Sequence, residues 1–231
     1  MLYALSDLHL GFGVNKPMNI FGGEWVGHEQ KVWSAWQKIV CESDVVLMPG
    51  DISWAMNLQE AKLDLQWIGG LHGQKVMIRG NHDYWWNGIN KVRKSLNSKT
   101  YALQNDAFEF PDFTVCGSRG WLLPGNPKFT EHDALIHQRE IERLRLSLER
   151  GSQFGKPLVV MMHYPPLPAD GQPSTFSDLM TKYQVRLCVY GHLHGSAHRY
   201  AFEGVASNVQ YRCVSADYLH FRPLLLTPWI S

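Results

Sequence analysis

Five times along the chain a short, uninterrupted apolar run stops at a polar or glycine-rich turn. The runs are Leu2 to Ser6 before Asp7, Val45 to Met48 before Gly50-Asp51, Lys75 to Ile78 before Gly80-Asn81-His82-Asp83, Leu158 to Met162 before His163, and Arg186 to Tyr190 before Gly191-His192. Runs without polar alternation predict strands buried on both faces. Between them the apolar spacing changes to three and four. Val32, Trp33, Trp36, Ile39 and Val40 predict one helix; Leu58, Ala61, Leu65 and Ile68 predict another, with Asn57 as its cap and Glu60 placed as in a capping box. The longest such pattern covers Thr130 to Arg150. Its stripe is Ile141, Leu144 and Leu148, Glu131 lies in its first turn, and Arg145 stands four residues before Glu149 on a face turned to solvent.

Strands that alternate with helices predict an α/β fold whose polar loops gather at one edge of its sheets. The last quarter reads differently. Ser196 to Phe202, Val209 to Ser215 and Phe221 to Leu226 are short segments joined by turn-like Glu-Gly and Ala-Asp steps, which predicts an antiparallel second sheet or extension. With no Ser/Gly/Pro-rich linker, internal repeat or low-complexity tract, the expectation is a single domain over residues 1–231.

Composition narrows the class. The 231 residues are 45% hydrophobic, with 20 Gly and 12 Pro, which excludes a disordered tail, a collagen repeat and a coiled coil. Lys plus Arg number 22 against 21 acidic residues, a net charge of +1, so no surplus of positive charge is available to hold a long polyanion. Cys41, Cys116, Cys188 and Cys213 are far apart and form no C-x-x-C pair, so reduced, mostly buried thiols are expected. The opening MLYALSDLHLG has no basic region, and no apolar stretch reaches membrane-spanning length. The expectation is a cytoplasmic protein without a membrane partner.

The polar ends of the five strands carry Asp7-Leu8-His9, Gly50-Asp51, Gly80-Asn81-His82-Asp83, His163 and Gly191-His192-Leu193-His194. Each alone is an ordinary cap or a hydrogen-bonded histidine. Together they form an oxygen and imidazole donor set without thiolate, which suits divalent Mn, Fe or Zn. In an extended D-x-H segment the two side chains point the same way, so Asp7 and His9 can grip one ion. The same geometry serves His192 and His194, although a tight glycine-led turn would send them to two ions.

In this series, D-x-H, G-D, G-N-H-D, H and G-H-x-H, the chain resembles the calcineurin-like metallophosphoesterases from Asp7 to His194, with every motif in the family's order. The resemblance implies a four-layer α/β/β/α sandwich of two packed mixed β-sheets flanked by helices, with a two-metal centre at the sheet ends. It further implies that Asp7, His9 and His194 hold one metal, that Asn81, His163 and His192 hold the other, and that Asp51 bridges them. His82 takes the family's place of the catalytic histidine that binds no metal. Physical reasoning runs the same way: two cations about 3.5 to 4 Å apart need a shared anion, and they lower the pKa of the water between them. Asp83 is expected to orient His82 or to cap a following helix.

Departures from the pattern bear on substrate. The protein phosphatases of the superfamily carry an arginine soon after the bridging aspartate, where this chain has Ile52-Ser53-Trp54-Ala55-Met56, and its lipid A pathway diphosphatases have Arg in place of His82. Arg119 is the remaining candidate for a guanidinium that grips phosphate. Trp54, Tyr84, Trp85, Trp86 and Trp121 are candidates to line a substrate pocket, with Pro165-Pro166-Leu167-Pro168 as a rigid wall. The expected activity is hydrolysis of a small phosphodiester, nucleotide or phosphorylated metabolite by two divalent metals and a bridging hydroxide, with no protein partner required. Two alternatives stand beside it. A nuclease or DNA-repair-type phosphodiesterase is disfavoured by the near-neutral charge, and a protein-binding scaffold by the complete donor set.

Overall fold

The computed structural model describes residues 1–230. In chain order the elements are β1 (Leu2–Ala4), α1 (His28–Ile39), β2 (Val45–Met48), α2 (Leu58–Gly69), β3 (Gln74–Met77), α3 (Ile89–Ser95), β4 (Thr100–Ala102), β5 (Phe108–Glu109), β6 (Thr114–Ser118) and α4 (Glu131–Ser152). Then come β7 (Leu158–Met162), α5 (Thr175–Lys182), β8 (Leu187–Tyr190), β9 (Gly204–Ala206), β10 (Val209–Cys213) and β11 (Leu224–Leu225). One sheet has the order β11-β1-β2-β3-β4 and the other β5-β6-β7-β8-β10-β9. Within each, the central strands are parallel; short antiparallel strands (β11, β5 and β9) form three of the four edges, and β4, parallel to β3, forms the fourth.

The unbroken apolar runs follow from this layering. Along β1 to β3, Leu2, Ala4, Val45, Leu47, Val76 and Ile78 face the second sheet and meet Val115, Val159, Met161, Leu187 and Val189. The alternate residues Tyr3, Leu5, Val46, Met48 and Met77 face outward onto Val32 and Trp36 of α1, Ala61, Leu65 and Ile68 of α2, and Val92 of α3. On the far side, Cys116, Val160, Met162, Cys188 and Tyr190 pack under Leu144 and Leu148 of α4 and Phe176 and Met180 of α5. A strand with a sheet on one side and a helix on the other leaves few positions for a polar side chain, and Lys75, buried in β3, is accommodated by donating to the Leu71 and Gly73 carbonyls. The result is two mixed sheets face to face with helices on both outer surfaces, the α/β sandwich that the motifs imply.

Local signals set the helix ends. Asn57 accepts hydrogen bonds from the amides of Gln59 and Glu60, and Thr130 forms a capping box with Asp133. Arg145 is bonded to Glu149 and to Glu142 on the exposed face of α4. The last quarter departs from expectation. Gly195–Tyr200 is a 3₁₀ helix rather than a strand, β10 joins the second sheet parallel to β8, and β11 adds to the edge of the first. β10 covers the edge that β8 would otherwise expose, and the 3₁₀ helix and β9 between them supply the long connection that a parallel neighbour needs. Cys116, Cys188 and Cys213 are buried free thiols and Cys41 is exposed. Among the described residues, no helix is long and apolar enough to cross a membrane.

Candidate metal centre

The C-terminal ends of β1, β2, β3, β7 and β8 converge where the two sheets are stitched together. Ser6 N donates to Val214 O at 2.8 Å and Ala216 N to Ser6 O at 3.0 Å, which ties β1 of one sheet to the strand end beyond β10 of the other. The loops after β1 and β2 run side by side, with Asp7 N bonded to Gly50 O and His9 N to Asp51 O, both at 3.0 Å. Two glycines allow this crowding. A Cβ at Gly80 would strike the carboxylate and amide of Asp51, and one at Gly191 would strike Asp7 and Ser6.

Asp7 (φ 58°), His9 (φ 46°), Asp51 (φ 50°) and His192 (φ 73°) all adopt the left-handed conformation. The expectation of an extended D-x-H is therefore corrected. Asp7 and His9 do converge, but through turned backbone rather than strand parity. The turn at His192 has the consequence anticipated for it, because His192 and His194 point into different groups.

In the first group the donor atoms of Asp7, His9 and His194 lie within 4.8 Å of one another. His9 Nε2 is 3.3 Å from His194 Nε2, and His194 Nε2 is 3.5 Å from Asp7 Oδ1. In the second, His163 Nε2 is 2.6 Å from Asn81 Oδ1, and His192 Nδ1 is 2.9 Å from the same oxygen and 3.2 Å from His163 Nε2. Asp51 stands between them, its Oδ2 3.4 Å from His163 Nε2 and 3.7 Å from His9 Nε2. Asp7, Asp51 and His163 also bring their donor atoms within 4.8 Å of one another. All seven side chains anticipated as ligands thus meet at one place.

Burial governs their protonation. It lowers His9 and His163 and, with His163 adjacent, brings His192 down to about 3, so these rings are neutral and carry lone pairs. Burial opposes charge on His194 as well, yet its bonds to Asp217 and Asp7 raise it to about 10. Burial would raise Asp7, but His194, His163 and His9 hold it below the usual carboxylate range. Asp51, buried beside the Asp7 charge, rises to about 8. Protons on Asp51 and His194 therefore offset charge that a cation would balance instead. A buried set of neutral imidazoles, an amide oxygen and two carboxylates, with His9 Nδ1 left unpartnered, fits a divalent metal.

Asp217 holds the first group from behind. It accepts from His194 Nδ1 at 2.8 Å and from Gly195 N at 3.0 Å, and its second oxygen is 3.1 Å from His198 Nε2. Nothing in the motif series points to it, since it falls within the Ala-Asp step read as a turn. Asp83 differs from both expectations. Its Oδ1 accepts from Ile52 N, Ser53 N and Trp85 Nε1 at 2.9 to 3.1 Å, and its Oδ2 from Gly80 N at 2.7 Å. It neither orients His82 nor caps a helix; it fastens the Gly80-Asn81 turn to the Asp51 loop. Burial and the Asp51 charge push it up to about 6. His82 is half-buried, with its amide on Asp51 Oδ1 at 2.8 Å and its ring 4.6 Å from Trp54.

The aromatic candidates divide. Trp54 stacks on His9 at 4.8 Å, and exposed Tyr84 lies 6.4 Å from the His82 ring. Trp121, packed on Tyr164, lines the groove beside His192. Trp85 and Trp86, in contrast, are buried in the outer core of the first sheet, Trp86 with its Nε1 on Gln104 Oε1 at 3.3 Å, and neither lines the groove beside His192. Arg119 is corrected too. Its Nη2 is 3.4 Å from the buried Glu140, which also pairs with Arg143, and its guanidinium lies 4.5 Å from the Trp121 ring centre. It lines a separate small cavity with Arg79 and Arg143, where its guanidinium is engaged by a Glu140 carboxylate shared with Arg143.

The model of the calcineurin-like phosphoesterase family matches residues 2–196. No curated protein matches the chain. Among solved structures, a protein of unknown function, AQ665 from Aquifex aeolicus, is similar at 17% identity and TM-score 0.50, covering 97% of this chain and 94% of its own. A phosphopantetheinyl hydrolase (PptH) from Mycobacterium tuberculosis is similar at 16% identity and TM-score 0.55, covering 93% and 88%. At these identities the likeness is one of fold.

Proposed function

This chain belongs to the calcineurin-like phosphoesterase family, and from that premise we propose that it hydrolyses phosphoesters with two divalent cations, Mn, Fe or Zn, held by the strand-end residues. Asp7, His9 and His194 hold one and Asn81, His163 and His192 the other, with the Asp51 carboxylate shared. The reading rests on one observation: seven oxygen and nitrogen donors from five strand ends approach one another around Asp51.

When bound, the metals supply water activation near neutral pH and neutralise charge that grows on phosphorus. The chain's own residues do the rest. Asp217 keeps the His194 Nδ1 proton in place, which fixes the tautomer and presents Nε2 toward Asp7 and His9. Asp83 holds the Gly80-Asn81 turn, so that Asn81 Oδ1 stays between two imidazoles. His82 sits beside the donors without joining them, which places it to give a proton to the leaving oxygen and regain it from water; burial with neighbouring His163 and His194 lowers its pKa, so the proton-giving form is favoured toward acid pH. Trp54 covers His9 and His82 and limits water there.

The substrate in this reading is a small phosphodiester, nucleotide or other phosphorylated metabolite. Protein prepared without chelator is expected to carry about two metals per chain and to hydrolyse bis(p-nitrophenyl) phosphate or p-nitrophenyl phosphate with Mn, Fe, Zn or Mg added. Asp51→Asn removes the shared anion and is expected to lose both metals and turnover together. Full metal content and activity in that variant refute the arrangement.

A further inference from the structure

Beside the metal ligands runs a groove of about 1090 Å³. Its walls are the segment that follows β6, with Trp121 and Leu123, and the loop between β7 and α5, with Tyr164 and Leu167; Leu193 and Tyr200 close the far side. His192 is itself part of the wall, and the Tyr164 ring lies 4.2 Å from the His192 ring. A group bonded to phosphorus at the metal centre therefore has a direct course into the groove.

The chemistry of the walls restricts that group. Leu, Pro, Trp and Tyr side chains make up most of the lining, and apart from His192 its ionisable groups are Lys128, Asp178 and two tyrosines. The charges of Lys128 and Asp178 cancel. No arginine is part of the lining: Arg119, behind the Trp121 ring, is engaged by Glu140, and Arg199 lies over the Tyr200 ring at the exposed rim. Additional phosphates placed within the groove would be desolvated with Lys128 as the one cationic side chain of its walls. The volume, just above the range of about 300 to 1,000 Å³ for pockets that take drug-sized ligands, leaves room for a substituent of that size. Pro165 and Pro168 stiffen one wall, so little order has to be created on binding.

Building on the phosphoesterase reading, we propose that the groove receives the organic substituent of the phosphoester and selects an uncharged, mainly apolar chain or ring, against nucleotides that carry further phosphates. Trp121, Leu123, Leu167 and Tyr200 are its specificity-determining residues.

The test separates binding from turnover. Methyl-, butyl- and octylphosphonate carry one organic group on a phosphorus–carbon bond that ester hydrolysis leaves intact, and their affinities for the Mn-loaded protein can be measured by calorimetry. Burial of each methylene is expected to raise affinity about three- to fourfold, so butyl exceeds methyl by about 30- to 60-fold. Leu123→Glu, at a half-buried position, and Tyr200→Ala, where the side chain is 51% exposed, are expected to flatten the series. Affinities that do not change from methyl to octyl overturn the proposal, and so does a slope unaltered in both variants. Should Leu123→Glu not fold, the wild-type series and Tyr200→Ala decide. Hydrolysis of bis(p-nitrophenyl) phosphate reports on catalysis independently. Turnover with a flat series removes the groove's role, whereas a steep series without turnover with any metal removes the catalytic reading and leaves the groove.

Discussion

Asp217 offers the most discriminating perturbation, because it touches only one side of the centre. In Asp217→Asn the amide oxygen can keep the bond to His194 Nδ1, but the NH₂ end then faces the Gly195 amide, which now has no acceptor. The formal charge behind His194 disappears as well. A hydrogen bond to a charged group contributes about 1.5 to 3 kcal/mol, and about 1.4 kcal/mol corresponds to a factor of ten. Metal affinity at the Asp7-His9-His194 group should therefore drop by about 10- to 100-fold, the usual range for a carboxylate behind a ligating histidine. The group around Asn81, His163 and His192 makes no contact with Asp217 and should change by less than about threefold. Chelator competition with Mn or Zn resolves the two affinities. In metal-free protein, NMR titration of the His194 ring should show its pKa fall from about 10, since Asp217 is a main cause of the elevation. Equal weakening of both sites, or an unmoved His194 titration, refutes the assignment.

His82→Ala is expected to retain bound metal while kcat falls by about 10²- to 10⁴-fold, with a smaller loss for leaving groups of low pKa; metal analysis and a leaving-group series check it, and loss of metal contradicts it. Gly80→Ala puts a methyl group into the Asp51 loop and should destabilise by about 1 to 3 kcal/mol with depleted metal, measured by urea unfolding and elemental analysis; wild-type values for both would contradict the close approach. The metal-free protein should lose stability as pH rises from 7.5 to 8. In that window folded Asp51 is still largely protonated, with its pKa at about 8, and folded His194 stays protonated up to about 10, while their unfolded counterparts, with pKa values of 3.8 and 6.5, have released nearly all of their protons. The folded state thus binds more protons, and each group contributes a decline of at most about 1.4 kcal/mol per pH unit. His9, His163 and His192, whose folded pKa values are lowered, bring an opposite slope around pH 6.5 that has faded by pH 7.5, where their unfolded rings are neutral too. Above pH 8 the buried Lys75, pushed down to about 8, also brings the opposite slope. A metal-free melting temperature that climbs from pH 7.5 to 8 contradicts these assignments.

The parts of this protein that were legible in its sequence are those where one layer dictates one residue type. Val45 to Met48 and Leu158 to Met162 coincide with β2 and β7 because every position there is walled in by sheet or helix. The α1, α2 and α4 stripes were equally clear. The α3 and α5 helices have seven and eight residues, too few turns for a periodic stripe to stand out. β10 could not be told from a hairpin strand, because alternation reveals burial on one face but not the direction of the neighbouring strand. Within the site, motif spacing anticipated that the seven donor side chains meet, although the local conformation assumed for Asp7 and His9 was wrong. Asp217 was hidden by the 23 residues that separate it from His194. Trp85 and Trp86 show the converse: proximity in sequence to His82 says nothing about which side of the turn an indole occupies.

The left-handed backbone at Asp7, His9, Asp51 and His192 has a bearing on how this chain can change over generations. An L-residue with a Cβ gives up roughly 1 to 2 kcal/mol at such a position relative to a relaxed conformation, and glycine gives up almost nothing. Glycine would relieve that strain, yet at 7 and 51 it would also take away the carboxylates that accept from the amides of His192 and His82, a loss of about 1 to 3 kcal/mol each. The two effects are of similar size, so folding alone gives a lineage little preference between aspartate and glycine at these two turns.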